Sequence, residues 1–281
     1  MLRFILSVLL IGIVILIIIV YGARISFDRM VKKEITTLFS DMTSTGNQIT
    51  EQDLKRLPNN VQSWLRYAGV VNSKNVTTVR LKQSAQMRLA EDKPWMEVEA
   101  EQYFTTQTPA FIWKANVKAA PLFNILARDK YIDGKGNMLI KPLALFTVAD
   151  AKGKEIDQGT LVRYLAEIAW FPTAALSSYI VWEELNDQQA KATLTYQGIE
   201  ASGIFTFNND GEVIMFEADR YGEFDGEFRL ERWLVHIENY QTFQDFKVPT
   251  KGQITWDLDS GEYNWFNFEI QAVEYDQPSA Y

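Results

Sequence analysis

The stretch Asp157–Pro172, DQGTLVRYLAEIAWFP, decides how the rest of the chain is read. Leu161, Tyr164, Leu165 and Ile168 recur at helical spacing, and Val162 and Ala169 widen the stripe. Asp157 is the expected N-cap, because its carboxylate can accept from the free N–H groups of a first turn. Arg163 and Glu167 lie four apart and can pair. Pro172 is the expected stop, since the residue before a proline avoids the α region. An amphipathic helix here is either the lid of a cavity, with Tyr164 and Trp170 facing a ligand, or the ordinary cover of a sheet.

On both sides of this helix the period changes to two. Val79, Leu81, Ala85, Met87 and Leu89 alternate with Arg80, Lys82, Ser84, Gln86 and Arg88, and Gln83 alone breaks the inner row. Met96, Val98, Ala100 and Phe104 repeat the pattern against Glu97, Glu99 and Glu101. Phe111, Trp113, Ala115 and Val117 repeat it against Lys114, Asn116 and Lys118. Strict alternation predicts antiparallel sheet with one buried and one wet face. The outer rows are basic, acidic and mixed, so they predict cross-strand ion pairs on a solvated face.

A turn at Asp133–Gly136 leads to a strand over Met138–Val148. Beyond the helix, strands are expected at Tyr179–Glu184, Ala190–Tyr196, Ala201–Phe207, Val213–Ala218, Trp233–Tyr240, Gly252–Leu258 and Tyr263–Tyr275, with hairpin turns at Asn208–Gly211 and Asp259–Gly261. The fold class is therefore α+β: a curved antiparallel sheet, half-barrel or barrel-like, covered by one central amphipathic helix.

An apolar segment precedes this domain. Phe4–Tyr21 is uncharged, and fifteen of its eighteen residues are Phe, Ile, Leu or Val. Insertion is favoured by roughly 5 to 9 kcal/mol. The segment reads as a retained transmembrane anchor, with cleavage after Gly22 or Ala23 as the alternative. Arg24, Arg29, Lys32 and Lys33 on its C-terminal flank outweigh Arg3, which points the large domain inward. The order of a short basic segment before the apolar one, and the ease with which long domains translocate, favour export; the exported reading is preferred. The division is then a transmembrane anchor over 1–23, a juxtamembrane helix and Ser/Thr/Gly linker over 24–56, one β-rich domain over 57–276, and a tail over 277–281. A short helix opening at Leu57-Pro58 carries Val61, Trp64, Leu65 and Ala68 on one side.

The 281 residues contain no cysteine and one histidine, His236, which removes thiolate chemistry and Cys- or multi-His metal sites. A net charge of −8 argues against nucleic acid. No catalytic signature occurs, so no catalytic residue, metal ligand or cofactor is assigned. Arg128, Asp129 and Tyr131, beside the expected turn, join Asp157, Arg163, Tyr164, Glu167 and Trp170 as candidate ligand-binding residues. An Arg–carboxylate group of this kind binds a head group or simply fixes a helix on a sheet.

The runs LPNNVQSWLRYAGV (57–70), VRLKQSAQMR (79–88), WMEVEAEQYF (95–104), ARDKYIDGKGNM (127–138), EIDQGTLVRYLAEIAWFPTAAL (155–176) and FNNDGEV (207–213) resemble a bacterial membrane-anchored family catalogued only as a domain of unknown function, over about residues 55–275. The resemblance implies a bacterial cell (inner) membrane protein and no assigned activity. The expected architecture is also similar, by analogy alone, to the periplasmic lipoprotein carriers. These readings lead to a single-pass membrane protein whose β-rich domain binds an apolar ligand such as a lipid. An envelope scaffold or protein-interaction module is the second reading. A carboxylate-dependent hydrolase or isomerase is the last.

Overall fold

The computed structural model describes residues 1–40, 42 and 46–281. Helix α1 (Leu2–Phe39) runs unbroken from the apolar segment into the juxtamembrane region. It is long and apolar enough to cross a membrane, and no residue of its apolar window is buried in the chain. Most of the expected Ser/Thr/Gly linker, residues 41 and 43–45, lies outside the described residues. Two short helices follow, α2 (Glu51–Leu54) and α3 (Asn59–Tyr67). In α3 the stripe Val61, Trp64, Leu65 is fully buried, and Trp64 packs against Trp182, Phe205 and Phe207.

Thirteen strands among the described residues form one antiparallel sheet. Six precede the central helix: β1 (Thr78–Met87), β2 (Met96–Thr105), β3 (Ala110–Ala120), β4 (Phe123–Ile132), β5 (Lys135–Pro142) and β6 (Ala149–Ala151). Seven follow it: β7 (Ile180–Asn186), β8 (Gln189–Tyr196), β9 (Ile199–Phe207), β10 (Val213–Phe224), β11 (Glu227–Phe243), β12 (Phe246–Leu258) and β13 (Gly261–Tyr275). Their order is β6-β5-β4-β3-β2-β1-β13-β12-β11-β10-β9-β8-β7. The first six strands lead outward from the middle to one edge. The chain then crosses to the far edge and returns to the middle, where β13 pairs with β1.

That crossing is made by α4 (Lys154–Glu167), which touches β4 and β5 on one wing and β8, β9 and β10 on the other. In a flat sheet β5 and β9 would stand roughly 43 Å apart, nine strand spacings of about 4.8 Å. A 14-residue helix is about 21 Å long and about 10 Å wide. Both wings reach it only because the sheet curls around it into an open half-barrel. Two glycines set the approach. A Cβ on Gly136 would lie 2.6 Å from the Ile156 carbonyl oxygen, and one on Gly159 would lie 3.2 Å from that of Tyr221.

Several expectations are corrected. Asp157 is not the N-cap; Gly153 holds that position, and the helix starts at Lys154. The Asp157 carboxylate sits one turn in and accepts from the Gly136 N–H at 2.7 Å and from Lys135 at 3.1 Å, which fastens the helix to the β4–β5 hairpin. The helix ends at Glu167 and passes into 3-10 turns at Ile168–Trp170 and Pro172–Leu176. The expected strand Met138–Val148 is broken after Pro142. Arg128–Tyr131 lies inside β4, a strand the alternation did not show because Arg128, Asp129 and Lys130 are consecutive charges.

The outer face is also not simply wet. The C-terminal half of α1 lies on it, with Phe27, Val31, Ile35, Leu38 and Phe39 buried against Tyr103, Ala110, Ile112, Leu126 and Leu139. Lys118 makes the expected cross-strand pairs with Glu97 and Glu99, at 3.2 and 2.9 Å. Lys114 turns instead to Asp28 of α1, at 2.8 Å.

Candidate functional site

The concave side of the sheet and the underside of α4 do not fill each other. They enclose a cavity of about 1040 Å³. The sheet reaches it with alternate residues: Gln83 from β1, Trp113 and Val117 from β3, Ile125, Ala127 and Asp129 from β4, Phe216 and Arg220 from β10. The helical segment supplies Arg163, Ala166, Glu167, Ala169 and Trp170. The mouth is rimmed by exposed apolar side chains, among them Leu89, Val148 and Phe228. An apolar body with a few convergent polar groups is the usual form of a small-molecule site, and this volume lies at the top of the common range.

The polar groups gather on Arg163. Its Nε donates to Glu167 Oε1 at 2.8 Å, its Nη1 to Asp129 Oδ2 at 3.1 Å and its Nη2 to Gln102 Oε1 at 3.3 Å. Gln102 returns a bond from Nε2 to Glu167 Oε2 at 2.8 Å. The guanidinium carbon lies 5.1 Å from the centre of the Phe111 ring and 4.9 Å from that of Trp113. Cation–π contact therefore holds the plane of the fork while the carboxylates hold its edge. Burial pushes the Asp129 and Glu167 carboxyls above the ordinary carboxylate value, and Arg163 offsets only part of that rise.

Arg220 is a further cation of the cavity, which Arg88 and Arg229 also line. Its Nε donates to the Gly159 carbonyl at 2.9 Å, and its guanidinium lies 4.8 Å from the Trp233 ring and 5.6 Å from that of Trp256. Burial, and then the nearby charge of Arg163, bring its pKa down to about 10.

Of the eight residues expected at a site, four line this cavity: Asp129, Arg163, Glu167 and Trp170. The other four do not. Arg128 and Asp129 are neighbours on a strand and so point to opposite faces. Arg128 Nη1 donates to Asn137 Oδ1 at 2.7 Å, and its Nε lies 3.1 Å from Glu34 of α1 on the convex side. Tyr131 is fully buried in the main core. Tyr164 donates to the Thr105 carbonyl at 2.8 Å and meets the Tyr179 hydroxyl at 3.1 Å, also in the core. Asp157 is occupied at the hairpin.

Arg220 and Gln83 are polar lining residues outside that set, as are Arg88, Glu91, Glu223 and Arg229; Gln102 stands behind the lining, bonded to Arg163 and Glu167. Gln83 is visible as a break in an apolar row, and its Oε1 accepts from Trp113 Nε1 at 3.2 Å. Arg220 continues the parity of Phe216 and Ala218, so a longer reading of β10 places it on the inner face. His236 is exposed on β11, as its register with Glu238 suggests.

No curated protein matches the chain. Among solved structures it is similar to a LolA superfamily protein from Nitrosomonas europaea, with 11% identity, 76% of this chain and 92% of that one covered, and a TM-score of 0.40. A putative outer membrane lipoprotein-sorting protein domain from Vibrio parahaemolyticus gives 9% identity, coverage of 72% and 86%, and a TM-score of 0.40. A DUF1329 family protein from Desulfovibrio piger gives 9% identity, coverage of 80% and 95%, and a TM-score of 0.45. At these scores the likenesses assign no ligand. Residues 47–268 match a family model over most of the 281 residues, and the chain belongs to the family described as "Family of unknown function (DUF6544)".

Proposed function

We propose that this chain is a single-pass protein of the bacterial inner membrane whose β-rich domain, on the exported side, holds a lipid-like ligand between α4 and the curved sheet. One observation carries the reading: a cavity of about 1040 Å³ walled by large apolar side chains, with Asp129, Arg163 and Glu167 in its wall. A domain that only needed a core would close such a space, because unfilled volume next to apolar side chains costs stability. The exposed rim of Leu89, Val148 and Phe228 supports passage of an apolar chain through the mouth. The apolar N-terminal half of α1 supports a position beside a source of such chains.

A protein-interaction role is the second reading. It rests on further apolar side chains exposed near this end of the sheet, Leu122, Phe146 and Leu230.

The test is native mass spectrometry of the full chain in amphipol, with extraction of the same sample, beside the variant Ile125→Trp. A bound mass that leaves on denaturation, is identified as lipid and is depleted in the variant supports the cavity reading. Lipid retained equally by the variant belongs to α1 and counts against it. A folded, empty protein directs attention to a protein partner.

A further inference from the structure

We infer that Arg220 anchors the ligand's head, and that this head is an anionic oxygen group, carboxylate or phosphate, on an apolar chain. The inference rests on the proposed lipid-like occupancy of the same cavity and adds the chemical class of the ligand. Four arginines line the cavity. Arg88 donates to the carbonyls of Asn264 and Glu91, and Arg229 pairs with Glu231. The two at the central helix, Arg163 on it and Arg220 bonded to it, differ in their hydrogen bonding. All three nitrogens of Arg163 already have acceptors in Glu167, Asp129 and Gln102. Arg220 uses only Nε, on the Gly159 carbonyl. Among the described residues, Nη1 and Nη2 have no hydrogen-bond acceptor and no carboxylate within ion-pair distance, which leaves four N–H donors toward the cavity.

The rest of the side chain is held. Trp233 and Trp256 lie beside the guanidinium, and the carbonyl of Gly159 fixes its edge. A fixed fork with two free nitrogens matches the two oxygens of a carboxylate or phosphate, and little side-chain freedom remains to be lost on binding.

The indole N–H groups of Trp170, Trp233 and Trp265 are buried without partners, with no accessible surface toward the cavity, so they do not serve a ligand there. Three further carboxylates line the cavity, Glu91, Glu223 and Asp225; all are exposed, and among the described residues none forms an ion pair with Arg220. The two free nitrogens of Arg220 call for a ligand that brings acceptors. The position is consistent with the apolar wall: Arg220 shares the inner row of β10 with Phe216, Gly222 and Phe224, so a chain lying along that strand would place its head on the guanidinium.

The test uses the full chain in phosphatidylcholine nanodiscs loaded with cis-parinaric acid; quenching of the lining tryptophans Trp170, Trp233 and Trp256 by energy transfer, measured against Ile125→Trp as the blocked control, reports occupancy. Palmitate, hexadecyl phosphate and hexadecanol are then compared as displacers, for the wild type, Arg220→Gln and Arg220→Lys. In the wild type at least one anionic displacer is expected to act about 10- to 100-fold below hexadecanol, the span of a charge-assisted hydrogen bond. Which of the two is stronger separates carboxylate from phosphate. Arg220→Gln should weaken the probe, itself a carboxylate, and remove that advantage, while the inhibition constant of hexadecanol, corrected for the weaker probe, stays unchanged, which also shows that the variant is folded. Arg220→Lys should keep part of it, as a charge without the fork; if Arg220→Gln does not fold, the decision passes to this variant. Equal displacement by all three molecules in the wild type overturns the anchor while the cavity reading stands. An equal weakening of all three in the variants does the same. Failure of the wild type to take up the probe overturns both.

Discussion

Removing Arg163 tests the electrostatic centre of the site most directly. In Arg163→Ala, Glu167 and Asp129, whose side chains are 10% and 19% exposed, lose the guanidinium that both of them bond. Breaking a buried ion pair by deleting one partner costs about 3–5 kcal/mol. The lower end, about 3 kcal/mol, is expected here, because Gln102 still donates to Glu167 and the charge of Arg220 remains nearby. For a domain of this size that lowers Tm by about 6–12 °C.

The loss should depend on pH, and its sign follows from proton linkage. Both carboxyls already have raised pKa values, so the folded state holds their protons to higher pH than the unfolded state does. Stability therefore falls as pH rises from the unfolded value, about 4, through the folded one. Deleting Arg163 raises the folded values further and widens that window. The deficit should be about 3 kcal/mol at pH 7.5 and shrink below about 1 kcal/mol near pH 4.5, where the carboxyls enter the fold protonated. The assay is thermal unfolding of the full chain in nanodiscs, followed by tryptophan fluorescence at several pH values. Neutralising the whole group, as Arg163→Met with Asp129→Asn and Glu167→Gln, should restore most of the loss at pH 7.5. A deficit below about 1 kcal/mol at pH 7.5, or one that does not change with pH, would refute the account.

Ile125→Trp places a large ring where the cavity offers space; ligand content should drop several-fold while Tm falls by less than about 4 °C, by mass spectrometry and thermal melting. Glu34→Ala removes the carboxylate that meets Arg128 at 3.1 Å and Lys130 at 2.7 Å, and should cost about 1–3 kcal/mol. Hydrogen exchange over Phe27–Phe39 should rise if that pairing holds α1 on the sheet; unchanged exchange would show that apolar contact suffices. Gly136→Ala puts a methyl group 2.6 Å from the Ile156 carbonyl oxygen, so α4 must shift. A stability loss of about 1–3 kcal/mol is expected, together with weaker ligand retention.

Much of the fold could be read from local pattern. The alternation in β1, β2 and β3 places Leu81, Val98 and Ala115 inward and Lys82, Glu99 and Asn116 outward, because side chains on a strand alternate faces whatever the strand's neighbours are. Leu161, Tyr164 and Leu165 mark a buried helix face for the same kind of reason. The reading failed where local signals compete. Three consecutive charges hid β4, and a carboxylate in the first turn of α4 resembled a cap. The juxtamembrane stripe Phe27, Val31, Ile35, Leu38 is visible in retrospect, but it has meaning only against Tyr103 and Ile112, which interrupt the polar row of the outer face.

The site divides along the same line. Arg163 and Glu167 are four residues apart on one helix, so their pairing follows from helical geometry alone. Arg128 and Asp129 were grouped by adjacency, and the strand sends them to opposite sides of the sheet. Arg220 joins Arg163 and Asp129 only because β10 and β4 belong to opposite wings that curl toward the same helix.

The sequence by itself determined the apolar segment, the alternating strands, the central helix and the ion pair within it. These depend on residues a few positions apart, whose relative directions are set by the backbone period. Only the tertiary structure decided the order of the strands, the seat of α1 on the convex face, the cavity and the place of Arg220 in it. Those depend on contacts between residues far apart in the chain, and the curl of the sheet, set by packing both wings against one helix, brings them together.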